Sequence, residues 1–224
     1  MPRIARIIGI GYHHHVVRRG NNREKVFLDR EDYKKYLSLL KKYSTEKEVV
    51  ILAYCLMPNH VHLLAKPSGE EHLSKMMQGI TLCYTQYFNR KNKRTGRLWE
   101  CRYYSTLIDK ERYLWAVSRY IEKNPVRANL VKRAEYYFYS SAKTHILGEN
   151  NALLRKPLFD KDELYSYKSY METGEDEEAI KDIIRKQTRL GKPLGDEGFL
   201  QTLSEKLGRN LVFRTKGRPK EGDN

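Results

Sequence analysis

VVILAYCLMPNHVHLLAK, residues 49–66, is the stretch from which the rest of the chain can be organised. Val49 to Leu56 is an unbroken run of apolar, strand-forming residues, and Met57-Pro58-Asn59 carries turn chemistry. His60 to Lys66 returns to strand composition, so the segment reads as a β-hairpin. Side chains on a strand alternate between its two faces. Val61 and Leu63 then enter a core, while His60 and His62 stand together on the opposite face. Two neutral imidazoles side by side form half of a divalent-metal site. On spacing alone they are equally two polar residues on a solvated sheet face.

Before this hairpin, Ile4 to Val17 reads as a strand and Arg18 to Glu24 as a polar turn. Asp29 is placed to cap a helix in which Tyr33, Tyr36, Leu37 and Leu40 fall at helical spacing. Residues 70–91 predict a second helix, with Leu73, Met76, Met77, Ile80, Tyr84 and Tyr87 along one side. A basic loop (Lys91 to Arg97), a short strand (Tyr103 to Ile108) and a helix capped by Asp109 and stopped by Pro125 follow. This order predicts an α+β protein, a ferredoxin-like sandwich built on a central antiparallel sheet. In His13-His14-His15 at most two rings share a face, and a structural or nucleic-acid-facing role suits the triplet better than metal binding.

The chain has 224 residues and a net charge of +15. Residues 1–150 hold 28 basic and 14 acidic side chains, so that segment alone is +14. A polyanion is the partner such a charge implies. The sequence divides into a basic domain, 1–150, and a helical C-terminal segment, 151–224, that ends in a basic tail. No apolar run approaches the ~18 residues a membrane span requires. The N-terminus has no clean signal-peptide pattern. Three cysteines without metal-ligand spacing fit a reducing cytoplasm.

Leu114, Val117 and Ile121 form a core stripe on the helix after Asp109. Tyr120 and Asn124 are four apart and therefore neighbours on one flank of it. Among 17 tyrosines this spacing alone does not single out Tyr120.

Four stretches in order, GYHHHVVRRGNNRE, MPNHVHLL, GRLWECRYYSTLI and YIEKNPVRANLV, span roughly residues 5–145. Together they resemble the single-tyrosine HUH transposases, and among these the REP-associated tyrosine transposases. The resemblance implies that His60 and His62 are the HUH histidines, that Tyr120 is the nucleophile and that Asn124 is the third metal-ligand position. Some relatives have Gln at that last position. It implies single-stranded DNA beside a hairpin as substrate, a divalent cofactor (Mg2+ or Mn2+), and cleavage through a 5′-phosphotyrosine that can be rejoined without ATP. A bacterial cytoplasmic, nucleoid-associated location follows, as does a monomer in preference to a homodimer.

Phosphate-gripping candidates are Arg18, Arg19, Asn21, Asn22 and Arg23 in the first turn, and Lys91, Lys93, Arg94 and Arg97 in the basic loop. Trp99 and Tyr103 can stack on bases, although Trp99 fits a core position better. Residues 175–207 read either as a helix-turn-helix-like pair or as a packing appendage. Lys216 to Lys220 resembles an AT-hook, with Arg218 as its minor-groove residue. Two rival functions remain at this stage: a non-catalytic nucleic-acid-binding protein on the same fold, and a zinc-dependent hydrolase using water in place of Tyr120.

Overall fold

The computed structural model describes residues 7–211 except 157, 174–176 and 209. The AT-hook-like stretch with Arg218 lies outside the described residues. The predicted hairpin forms as expected: β2 (Val49–Met57) pairs antiparallel with β3 (His60–Pro67). Strands β1 (His13–Arg19) and β4 (Tyr104–Ile108) complete one antiparallel sheet in the order β2-β3-β1-β4. Helices α1 (Arg30–Glu46) and α2 (His72–Lys91) connect them as β1-α1-β2-β3-α2-β4. This is the connectivity of the ferredoxin-like arrangement.

Local chemistry explains the helices. Asp29 caps α1 and forms a reciprocal capping box with Asp32, which satisfies amides the first turn leaves open. The sheet-facing sides of α1 and α2 (Tyr36, Leu40, Met76, Ile80, Tyr84) meet Val16, Val61 and Leu63 in the larger core cluster. The Tyr84 hydroxyl donates to the Val26 carbonyl at 2.6 Å, so this bulky phenol is buried with its polar end satisfied.

The second sheet face is also covered. Leu52, Ala53, Cys55 and Leu64 pack with Val117, Tyr120 and Ile121 of α3 (Lys110–Glu122) and with Ile184 of α7 (Glu177–Leu190). A register shift between Ile51 and Ala53 lets both Leu52 and Ala53 serve this cluster. Burying a single Leu or Ile contributes about 1.5–3 kcal/mol, so closing this face is a substantial part of the fold.

The C-terminal segment packs on the sheet-bearing part at several points. Leu194, between α7 and α8 (Glu197–Leu207), makes a parallel bridge to Ile108 at the β4 edge. The Asp109 amide donates to the Leu194 carbonyl and the Leu194 amide to Leu107, both at 2.8 Å. This protects an edge strand from unwanted pairing. The turn between these two helices is thus an edge-strand contact, and both helices pack against the sheet-bearing part.

A buried polar cluster joins α3 to α5 (Ala142–Leu147) and α6 (Lys161–Glu172). The Glu122 carboxylate accepts from Ser141 Oγ (2.5 Å), His145 Nδ1 (2.6 Å) and the Tyr167 hydroxyl (2.9 Å). Glu122→Leu strands three buried donors and is expected to lower stability by about 3 kcal/mol or more. Urea unfolding measures this directly, and a loss below about 1 kcal/mol would contradict the assigned role.

Some boundaries differ from the sequence reading. β1 begins at His13, after a turn in which Gly11 has φ +74°, and it runs through Arg19. Arg18 and Arg19 continue as strand because they pair with Val61 and His60 of β3. Pro125 does not end the helical path. α3 stops at Glu122, and a short α4 (Asn124–Arg127) resumes with Pro125 in its first turn, where a missing N–H costs nothing. No helix among the described residues is long and apolar enough to cross a membrane.

Candidate active site

His60 and His62 do share a face, with ring centroids 4.9 Å apart, while Val61 enters the α1/α2 core. The face is not a solvated one: α3 and α7 close over it, leaving His62 3% exposed. The two imidazoles are held differently. Asn59 Nδ2 donates to the Arg23 carbonyl at 3.1 Å, which turns Asn59 Oδ1 toward His60 Nδ1 at 2.6 Å. An amide oxygen only accepts, so His60 carries its proton on Nδ1 and keeps its lone pair on Nε2. His62 Nδ1 meets His15 Nε2 at 3.0 Å, and the two rings lie edge to edge and nearly coplanar, with centroids 5.3 Å apart and 5° between planes. His15 Nδ1 in turn meets Thr188 Oγ1 of α7 at 2.9 Å.

Tyr120 lies against this group. Its ring is edge-on to His15 (5.6 Å) and to His62 (5.5 Å). The Arg127 guanidinium sits 4.8 Å over the same ring and donates to the Tyr120 carbonyl. Asn124 Nδ2 donates to the carbonyls of Tyr120 (2.8 Å) and Ile121 (3.1 Å), which fixes the side chain against the end of α3. A small pocket lies beside Tyr120, lined by Arg119, Arg127 and Lys181 together with Ala116, Ile180 and Ile184.

Burial keeps the imidazoles neutral. It lowers His60 to about 4, helped by the charges of Arg19 and Arg185. It holds His62 well below the usual histidine range, with His60, His15, Arg127 and Arg19 adding to the effect. His15 is lowered to about 3 by burial alone. Neutral imidazole is the ligating form. Among the described residues no three or more His, Cys, Asp or Glu side chains are grouped to hold a metal. The set the sequence names, two imidazoles and the Asn124 amide oxygen, has no carboxylate, and the hydrogen bonds of the Asn124 side chain run to its own helix backbone. Such a set suits a hard cation only when substrate oxygens complete it.

His14 points to the other side of the sheet, between Ser105 Oγ (3.3 Å) and the Gly9 carbonyl (3.2 Å). Burial lowers it from 6.5 to about 4, against a smaller opposing effect of the Gly9 carbonyl. The unfolded chain therefore binds this proton more readily than the folded one. Stability is complete above about pH 7 and falls as the pH drops from about 6.5 toward 4, by up to about 1.4 kcal/mol per pH unit. Urea midpoints at several pH values check this, and a midpoint unmoved between pH 7 and pH 5 contradicts it.

The predicted DNA-contacting residues fall into two groups. Exposed Asn22 and Arg23, with half-buried Asn21, belong to a turn clamped to the hairpin by Gly20 N to Asn59 O at 2.8 Å, and exposed Arg19 ends β1 just before it, opposite His60. This places them next to His60. Lys93 and Arg97 are exposed on the basic loop. Others are engaged within the fold. Arg18 is buried, 5.1 Å over the Trp99 ring. Lys91 bonds Asp29 and Asp32 at 2.7 Å each, and Arg94 pairs with Glu24 at 3.2 Å. Trp99 and Tyr103 are core residues. The sequence reading missed Asn59, Arg127 and Thr188, and gave His15 only the structural or nucleic-acid-facing role of its triplet. Asn59 and Arg127 stood inside motifs already quoted, whereas nothing in the sequence flags Thr188.

The family model described as "Transposase IS200 like" (Y1_Tnp) matches residues 10–124. No curated protein matches the chain. Among solved structures, a REP-associated tyrosine transposase bound to a REP hairpin superposes on 71% of this chain and 94% of its own, with 18% identity and a TM-score of 0.55. A candidate transposase from Deinococcus radiodurans covers 55% of this chain and 97% of its own, with 19% identity and a TM-score of 0.39. The first of these likenesses is one of fold.

Proposed function

The chain belongs to the IS200-like transposase family, and from that premise we propose that it is a metal-dependent single-tyrosine enzyme that cuts and rejoins single-stranded DNA beside a hairpin. The observation that carries the reading is the packing of the Tyr120 ring, edge-on at 5.5 Å, against one of two histidines that share a sheet face. In this reading Tyr120 Oη attacks the scissile phosphorus and gives up its proton. The P–O3′ bond breaks, the 3′ oxygen leaves as a hydroxyl after taking up a proton, and a 5′-phosphotyrosine remains. The phosphoester is conserved, so the reverse attack rejoins strands.

His60 Nε2, His62 Nε2 and the Asn124 oxygen would hold the divalent ion, Mg2+ or Mn2+. Bound there, it supplies charge that polarises the phosphate and aligns it for attack. Arg127 holds the tyrosine from behind and gives the adjoining pocket positive charge for phosphate oxygens, whereas Lys181 in the same lining is paired with Glu178. Residues 1–150 would be the catalytic domain and 151–224 its C-terminal complement, which brings α7 over the reacting face. Arg19 at the end of β1 and the turn that follows it to Arg23 give a backbone-gripping surface next to His60. The solved neighbour that carries a REP hairpin supports a hairpin-bearing, REP-like substrate for this chain. We place the enzyme as a monomer in the bacterial cytoplasm, at the nucleoid.

The test is a hairpin with a single-stranded flank, labelled at its 3′ end so that the label stays on the fragment carrying the 5′ phosphate, incubated with the chain and Mg2+ or Mn2+ and resolved under denaturing conditions. A labelled band at the mass of protein plus DNA is expected. Binding without cleavage supports the non-catalytic rival, and cleavage without the adduct supports a water nucleophile.

A further inference from the structure

One buried side chain at this site belongs to none of the assigned roles. His15 is 1% exposed and has both ring nitrogens occupied, by Thr188 Oγ1 and by His62 Nδ1. It therefore has no lone pair to spare for a cation. Its function must be exerted through its neighbours.

A neutral imidazole has one donor and one acceptor, so the row Thr188–His15–His62 has a direction. In one direction His62 Nδ1–H donates to His15 Nε2, and His15 Nδ1–H donates to Thr188 Oγ1. His62 then carries its lone pair on Nε2. In the other, the Thr188 hydroxyl donates to His15, His15 donates to His62, and His62 Nε2 is protonated and cannot ligate. His60 shows the same requirement met by simpler means, since Asn59 Oδ1 only accepts. Ligating histidines commonly have the second nitrogen fixed in this way, and loss of the partner weakens metal affinity.

Resting on the reading of His62 as a metal ligand, we propose that His15 and Thr188 are positioning residues that hold His62 as its Nδ1–H tautomer, with Nε2 as the ligating atom. The last member of the row comes from α7, 173 residues from His15 in sequence. α7 also brings Ile184 into the cluster around Tyr120 and the Arg185 charge toward His60. The C-terminal segment is then part of the catalytic centre.

The experiment uses the full chain with Mn2+ as probe. Thr188→Val removes the hydroxyl at nearly constant volume, and Thr188→Ser restores it. Mn2+ affinity is read by electron paramagnetic resonance, and the His62 tautomer by histidine 15N resonances in the metal-free protein. Thr188→Val is expected to weaken Mn2+ binding by roughly 10-fold and to shift His62 toward the Nε2–H form, with Thr188→Ser close to the unaltered chain. Thermal unfolding of both variants confirms that each is folded. Mn2+ affinity within about twofold of the unaltered chain in Thr188→Val, with the tautomer unchanged, overturns the proposal and leaves His62 a ligand. If the unaltered chain binds Mn2+ no better than His62→Ala does, the ligand reading itself fails, and the proposal fails with it.

Discussion

Tyr120→Phe is expected to abolish the covalent protein–DNA adduct and to lower cleavage by on the order of 10⁴-fold or more, while hairpin binding and thermal stability stay near those of the unaltered chain. The substitution is narrow in what it removes. The phenylalanine ring keeps the edge-on contacts with His15 and His62, keeps its place under the Arg127 guanidinium, and keeps its share of the cluster with Val117 and Ile121. Only the oxygen that would bond to phosphorus is lost. A structural role for Tyr120 therefore predicts a small effect, and a nucleophilic role a nearly complete one. A hydrolase that activates water through the same histidines predicts full cleavage by Tyr120→Phe and no adduct from either protein. An adduct formed by Tyr120→Phe would assign the nucleophile to another of the 17 tyrosines. Tyr36, Tyr84 and Tyr167 are poor alternatives, because they are fully buried and burial pushes each hydroxyl above its ordinary range.

Sequence periodicity made the central hairpin, the facing of His60 and His62, and the Tyr120–Asn124 spacing legible. Each is a local relation, fixed by strand alternation or by the helical turn. What could not be read depends on distant partners. The covered second face needs α7, which the sequence places more than a hundred residues after the hairpin. The orientation of Asn59 depends on the Arg23 carbonyl, a backbone atom with no sequence signature. Charge counting also overstated the DNA-gripping set. Lys91 and Arg94 contribute to the net charge, but Asp29, Asp32 and Glu24 hold them. Net charge reports on the long-range field, whereas phosphate contacts need side chains that are free to move to the DNA.

His60→Ala tests the other half of the proposed centre, and it is the better of the two histidines to remove. His62 is 3% exposed and bonded to His15, so its loss leaves a cavity and a broken buried contact that would complicate any activity measurement. His60 is only half-buried, and its ring bonds a residue of its own turn. His60→Ala is expected to lower metal-dependent cleavage by on the order of 10³-fold, because phosphate polarisation and in-line alignment are lost together. Hairpin binding in the absence of metal should be unchanged, since Arg19, Asn22 and Arg23 stay where they are. Asn59→Ala makes the result quantitative. It keeps the imidazole but frees Nδ1, so the ligating tautomer is no longer enforced, and a loss of about 10- to 100-fold in metal affinity is expected. The order unaltered, Asn59→Ala, His60→Ala in metal-dependent rate is therefore a graded prediction. A role for His60 in simple electrostatic contact with DNA gives a different order. In that case Asn59→Ala would match the unaltered chain, and the rate lost in His60→Ala would track weakened DNA binding at every metal concentration. Metal-dependent activity of His60→Ala equal to that of the unaltered chain removes this residue from the centre altogether.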